Sequence, residues 1–159
     1  MAAKVVMKLG GGLITDKSSF KTAKKGVIDS ICSEISKIIA NGHSVILIHG
    51  AGSFGHLLAK KWSLAGGIDD EISEQQRDAV LKVRSDMAEL CEYVTDSLSS
   101  FGVEFAVFHL QSGLWKQERA SLVTWISSII HLETPFQYPL EMLSGSAERQ
   151  SLAYFREMI

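Results

Sequence analysis

Early in the chain, two glycine turns, two lysines and a histidine have the types and spacing to handle an anion. Lys8-Leu9 runs into Gly10-Gly11-Gly12, and Ser44 to Ile48 runs into His49-Gly50-Ala51-Gly52-Ser53-Phe54-Gly55-His56. Glycines let the backbone turn tightly and bring its N–H groups close to a ligand. Where a strand passes through such a turn into a helix, unpaired N–H groups and the positive end of the helix dipole converge on one spot. His56, at the far lip of the second turn, adds a side chain that can donate to a phosphate. Lys17 follows the first turn in Thr15-Asp16-Lys17-Ser18-Ser19, with Lys21, Lys24 and Lys25 close behind. Each residue also has a plainer reading. Lys8 fits an edge strand, Lys17 a solvated loop, and His56, taken alone, a structural role. His49 reads as a buried hydrogen-bonding residue, His43, His109 and His131 as incidental, and Trp115 and Trp125 as packing.

The elements that must position these residues follow from periodicity. Val45-Ile46-Leu47-Ile48 is a continuous apolar run, the mark of a strand buried on both faces of a parallel sheet, and Leu57, Leu58 and Ala59 suit a helix start. Residues 4–9 read as the preceding strand. Ile28, Ile31, Ile35, Ile38 and Ile39 recur at helical spacing over residues 25–40, closed by Asn41-Gly42, so strand, helix and strand make one right-handed βαβ unit. Both glycine turns then open at the carboxyl edge of the sheet, where ligands bind. A loop over residues 65–70 leads to a long helix over 74–98, striped by Val80, Val83, Met87, Leu90, Cys91, Val94 and Leu98 and ended by Phe101-Gly102. Residues 103–110 read as a third strand. Over 121–132 the pattern fits helix and strand equally, and Ser144-Gly145-Ser146 caps a helix expected over 147–159.

With 159 residues, 46% hydrophobic and 21% charged, the chain suits one domain with a real core, divided here into residues 1–110 and an atypical segment 111–159. A formal charge of −2 argues against nucleic acid or a membrane surface as a partner held by bulk charge. No run approaches the ~20 apolar residues of a membrane span and none resembles a signal peptide, so a soluble, cytoplasmic protein is expected. Cys32 and Cys91 read as core residues, and no metal site is expected from ligand spacing.

Gly50 to Gly55 formally matches G-x-G-x-x-G, which would suggest a dinucleotide-binding domain. That fold expects an acidic residue at the end of the next strand, about 20 residues on. Asp69, Asp70 and Glu71 stand at that distance without a strand before them, and the first glycine turn would go unexplained. A Walker loop is absent from the sequence.

The fuller pattern, Lys8-Leu9-Gly10-Gly11-Gly12, Thr15-Asp16-Lys17 and His49 to His56, resembles the amino acid kinase superfamily and, within it, the isopentenyl phosphate kinases. These carry a K-[IL]-G-G opening, a T-D-K and an H-G-[AG]-G-S-F-G-H loop, and the resemblance covers about Lys4 to Leu110. It implies a three-layer αβα fold with a mainly parallel sheet. The implied activity is ATP-dependent phosphorylation of isopentenyl phosphate to isopentenyl diphosphate, a step of isoprenoid biosynthesis, with ATP and Mg²⁺ as cofactors. By motif position Lys8, Gly10, Gly11 and Gly12 would hold the transferring phosphates, and Lys17 would neutralise charge built up in the transition state. Ala51 and Gly52 would offer N–H groups to substrate and nucleotide phosphates, with Gly55 and His56 on the acceptor. The family's L-H-G-D and T-D-x-x-G-[VI]-Y segments and later lysine are missing, and Leu143-Ser144-Gly145 is followed by Ser146 where the family has aspartate. A truncated family member is therefore expected. Its alternative role is a non-catalytic phosphate-binding fragment, pairing with a second copy or a full-length relative.

Overall fold

Strand β1 (Lys4–Leu9) lies parallel to β2 (Ser44–His49), with Lys4 opposite Ser44 and Leu9 opposite His49. The computed structural model describes residues 2–109 and 128–132. Between the two strands come a four-residue helical turn, α1 (Gly11–Ile14), and the helix α2 (Lys25–Ala40). After β2 the chain forms the short helix α3 (His56–Lys61) and the long α4 (Ser73–Ser100), then β3 (Phe105–His109) and β4 (Ser128–Leu132). The sheet order is β1-β2-β4-β3, with β4 antiparallel to both of its neighbours. Strands β1, β2 and β3 thus share one direction. The stretch that fitted helix and strand equally contributes β4, and the helix expected over 147–159 lies outside the described residues.

Alternation decides which face each strand buries. Val5, Met7 and Leu9 of β1 turn toward the helices, while Lys4, Val6 and Lys8 are exposed on the other side. In β2, Val45, Leu47 and His49 are fully buried beneath the helices and Ile46 is buried on the far face, as the unbroken apolar run led one to expect. One core joins Ile28, Cys32 and Ile35 of α2, Leu90, Val94 and Leu98 of α4, and Ile130 and Leu132 of β4. Each such aliphatic side chain contributes about 1.5–3 kcal/mol on burial. Both cysteines are buried; burial pushes the Cys32 thiol up, which suits an inert core residue.

Both long helices stop where the sequence signalled. Gly42 N–H bonds to Ile39 O (2.8 Å) and His43 N–H to Ile38 O (3.3 Å); Gly102 N–H bonds to Ser99 O (2.9 Å) and Val103 N–H to Leu98 O (3.1 Å). These are paired Schellman closures, and each returns the chain to the start of a strand. No helix among the described residues is long and apolar enough to cross a membrane.

Candidate functional site

The parallel register sets Leu9 beside His49, so the two glycine turns leave the sheet side by side. Gly50 N–H bonds back to Leu9 O at 2.9 Å, extending the ladder into the second turn. The first turn closes on itself, with Leu13 N–H on Gly10 O (2.8 Å) and Thr15 N–H on Gly11 O (2.9 Å). The N–H groups of Gly11 and Gly12 open α1 and have no acceptor within it.

Close approach explains the glycines. A methyl group on Gly11 would strike the backbone N of Gly52 and lie 2.6 Å from its Cα. Gly52 itself has φ +50°, and a methyl there would meet Gly11 O at 2.6 Å and strike Thr15 Oγ1. The two backbones therefore touch, which only hydrogen at both Cα positions allows.

Thr15 and Ser53 stitch the turns together. Thr15, fully buried, donates Oγ1–H to Gly11 O (2.7 Å) and accepts from Ser53 N–H (3.0 Å). Ser53 Oγ accepts from Thr22 N–H (3.3 Å) and Ser53 O from Lys21 N–H (3.4 Å). Sequence reasoning left Thr15 in a polar loop and gave Ser53 no role. The one local signal was Thr15 standing four residues after Gly11, the spacing of a hydroxyl that bonds one turn back.

Lys17 reaches back onto the first turn: a methyl on Gly12 would lie 3.0 Å from its Nζ. Beside it in the chain, the Asp16 carboxylate accepts from Ser18 N–H (2.9 Å) and Ser18 Oγ–H (2.7 Å). Those two bonds hold the Asp16 carboxyl below the usual carboxylate range. Lys24 also comes to Gly12, with Nζ on its carbonyl oxygen at 3.4 Å, a contact the sequence did not suggest.

The remaining expected residues are less tightly gathered. Lys8 is exposed on the edge strand, on the sheet face opposite the helices. Gly55 is buried, with room for no methyl beside Ala51 Cβ (2.9 Å) and Val83 Cγ1 (3.1 Å). His56, exposed at the start of α3, lines an open cleft of about 380 Å³ with Ala59, Lys60, Ser63, Ala65 and Gly66. Helix α3 has only six residues, so few peptide dipoles sum at its start. An anion brought to this edge would meet local N–H groups and lysines more than a helix dipole. The chain brings Gly11, Gly12, Lys17, Ala51 and Gly52 together, with Lys8 and His56 at the margins.

The tight backbone cradle suits phosphate oxygens, since side chains are excluded where N–H groups are offered. Among the described residues no three of His, Cys, Asp and Glu gather to hold a metal, so they form no protein cage for Mg²⁺. Asp69, Asp70 and Glu71 lie in the turn before α4 with no strand leading in, unlike the acid of a dinucleotide fold.

The sequence signature of the amino acid kinase family matches residues 3–139 of this chain, whose mixed sheet carries paired glycine turns at one edge and helices packed on it. The chain belongs to that family. Within it, the chain is similar to isopentenyl phosphate kinases, as the glycine turns suggested. It is 42% identical over 62 residues to that of Thermoplasma acidophilum, covering 39% of this chain and 24% of the relative. To that of Methanothermobacter thermautotrophicus it is 32% identical over 101 residues, covering 62% of this chain and 37% of the relative. The solved product complex of the T. acidophilum enzyme superposes with TM-score 0.54 at 30% identity, over 65% of this chain and 41% of that one. An isopentenyl phosphate kinase substrate complex gives 0.55 at 31% identity, over 65% and 40%. The matched region thus spans between 24% and 41% of these relatives' lengths.

Proposed function

We propose that the chain is isopentenyl phosphate kinase-like, binding phosphate groups at the paired glycine turns and serving ATP-dependent phosphorylation of isopentenyl phosphate to isopentenyl diphosphate. The observation that carries this reading is the contact of Gly11 with Gly52, with Lys17 Nζ laid against Gly12. In it, the N–H groups of Gly11, Gly12, Ala51 and Gly52 hold phosphate oxygens. Lys17 stabilises the charge that spreads over the transferring group, and Lys8, at the margin of the site, adds positive charge for the transferring phosphates. His56 donates to the acceptor's phosphate. Bound ATP supplies the phosphoryl group, and Mg²⁺ would screen its charge. An acceptor phosphate oxygen forms the new O–P bond as the bond from the γ-phosphorus to the β,γ-bridging oxygen breaks, leaving ADP. That oxygen is already ionised, so the protein supplies positioning and charge stabilisation and no strong base.

The test is incubation of the full chain with ATP, Mg²⁺ and isopentenyl phosphate, with ADP and isopentenyl diphosphate as the expected products. No turnover at high protein concentration overturns the activity for this chain. A second reading, phosphate binding without catalysis, is supported by the limited span of the relatives that the chain matches. Calorimetric binding of isopentenyl phosphate with no ADP formed would favour it.

A further inference from the structure

The loop between α1 and α2 carries Lys17, and its closure depends on a residue that plays no part in the reading above. Thr15 and Ala23 form a β-bridge, and Asp16 N–H bonds to Thr22 O at 2.8 Å, so residues 15–23 make a lobe closed at its base. Ser53 spends all three of its polar groups on this lobe: its N–H on Thr15, its hydroxyl on Thr22 and its carbonyl on Lys21. Lys21, one residue before the Thr22 that closes the lobe's base, has φ +48°, a left-handed conformation unfavourable for a side-chain-bearing residue.

Something must hold Lys21 there. Its Nζ lies 2.8 Å from Asp86 Oδ1, pairs with Glu89, and sits 5.9 Å from the centre of the Phe54 ring. Asp86 is 1% exposed on α4, and Lys82 Nζ reaches the same Oδ1 at 2.8 Å. The other oxygen, Oδ2, is buried with no hydrogen-bond partner among the described residues. A carboxylate so placed depends on its lysines, and Lys21 is the more enclosed of the two, at 20% side-chain exposure against 55% for Lys82.

We infer that Lys21, anchored on Asp86, is a positioning residue that holds the Lys17-bearing lobe against the second glycine turn. It acts through Ser53 and touches neither turn's N–H cradle. Its effect on acceptor binding rests on the function proposed above; its effect on the lobe does not.

The experiment compares the full chain with Lys21→Met, which removes the charge and keeps the length, and Lys21→Arg, which restores the charge. Amide hydrogen exchange without ligand reads the lobe. In Lys21→Met, exchange at Thr22 and Ser53 should accelerate about tenfold or more while Leu90 and Val94 of α4 keep their protection, with Lys21→Arg recovering most of the loss. Unchanged exchange at Ser53, or equal acceleration at Leu90 and Val94, overturns the inference; the second outcome makes Lys21 a general staple of the fold. Calorimetric titration with isopentenyl phosphate reads the site. Where the wild type binds, Lys21→Met should bind roughly tenfold more weakly, as expected when a contact group is displaced, and Lys21→Arg should recover. Equal affinity in Lys21→Met overturns the role at the site. A wild type that does not bind overturns the functional reading and leaves the lobe to be decided by exchange.

Discussion

Gly52 and Gly10 differ in what a methyl group would meet, and that difference is measurable. Gly10 has φ −61° and nothing within 4 Å of an added Cβ, so Gly10→Ala should leave unfolding stability nearly unchanged. Gly52→Ala meets Gly11 O and Thr15 at φ +50° and should cost about 1–3 kcal/mol in urea unfolding, the range for a strained backbone position. Phosphate affinity should fall with it, because the turn can relieve the clash only by moving away from Gly11. His56 behaves differently, being exposed at the lip. His56→Ala should weaken isopentenyl phosphate binding by roughly 1.5–3 kcal/mol, the range for a hydrogen bond to a charged group, with unfolding stability unchanged and part of the affinity regained in His56→Gln. Equal affinity in all three proteins would remove His56 from the site. At this scale the glycines were legible, since glycines clustered directly after two apolar runs mark tight turns at a sheet edge. Thr15 and Ser53 were not: they are 38 positions apart, and their roles exist only once the two turns touch.

Among the elements, the lobe of residues 15–23 should show its anchoring in its pH response. The Asp86 and Glu89 carboxylates hold Lys21 above the usual lysine value of 10.5. A group raised in the folded state contributes stability fully present below its unfolded value and lost as pH rises through its folded one. The wild type should therefore lose more unfolding stability above pH 10.5 than Lys21→Met does, and parallel alkaline profiles would contradict the pairing. Asp16 works in the opposite sense. Its carboxyl is lowered from 3.8, so its contribution is present above that value and fades as pH falls through the folded one. The long helices α2 and α4 were legible to within a residue or two because their apolar stripes repeat at helical period and both end on a glycine. Strand β4 was not legible. Its Ile129-Ile130 pair is embedded among serines, and what makes it a strand is ladder pairing with β2 and β3, which no local window contains.

For the whole molecule, β4 is what joins β3 to the βαβ unit, since β2 and β3 are separated by it. Leu132 lies opposite both Val45 and Phe105 and is fully buried. Leu132→Ala should cost about 2–5 kcal/mol in unfolding, and the loss should appear as one cooperative transition if β4 belongs to the same core. A change within experimental error would place β4 outside that core. The sheet's strand order was beyond sequence reading, because it is fixed by pairings between distant segments. The shared direction of β1 and β2 was not, since both run into glycine turns at one edge.

Strand β1 ends the described sheet, so one side of its backbone has no ladder partner among the described residues. Such an edge is a template on which a second molecule can lay a strand, and exposed lysines are a common guard against that. Lys4 and Lys8 flank the exposed Val6 along this edge and carry like charges into any encounter between copies. Lys4→Val would extend the apolar surface of Val6 toward the start of the strand. It should raise concentration-dependent light scattering, most of all in high salt, where the remaining lysine is screened. On this account β1 is guarded against self-association by the same type of residue that the proposed function sets against phosphate.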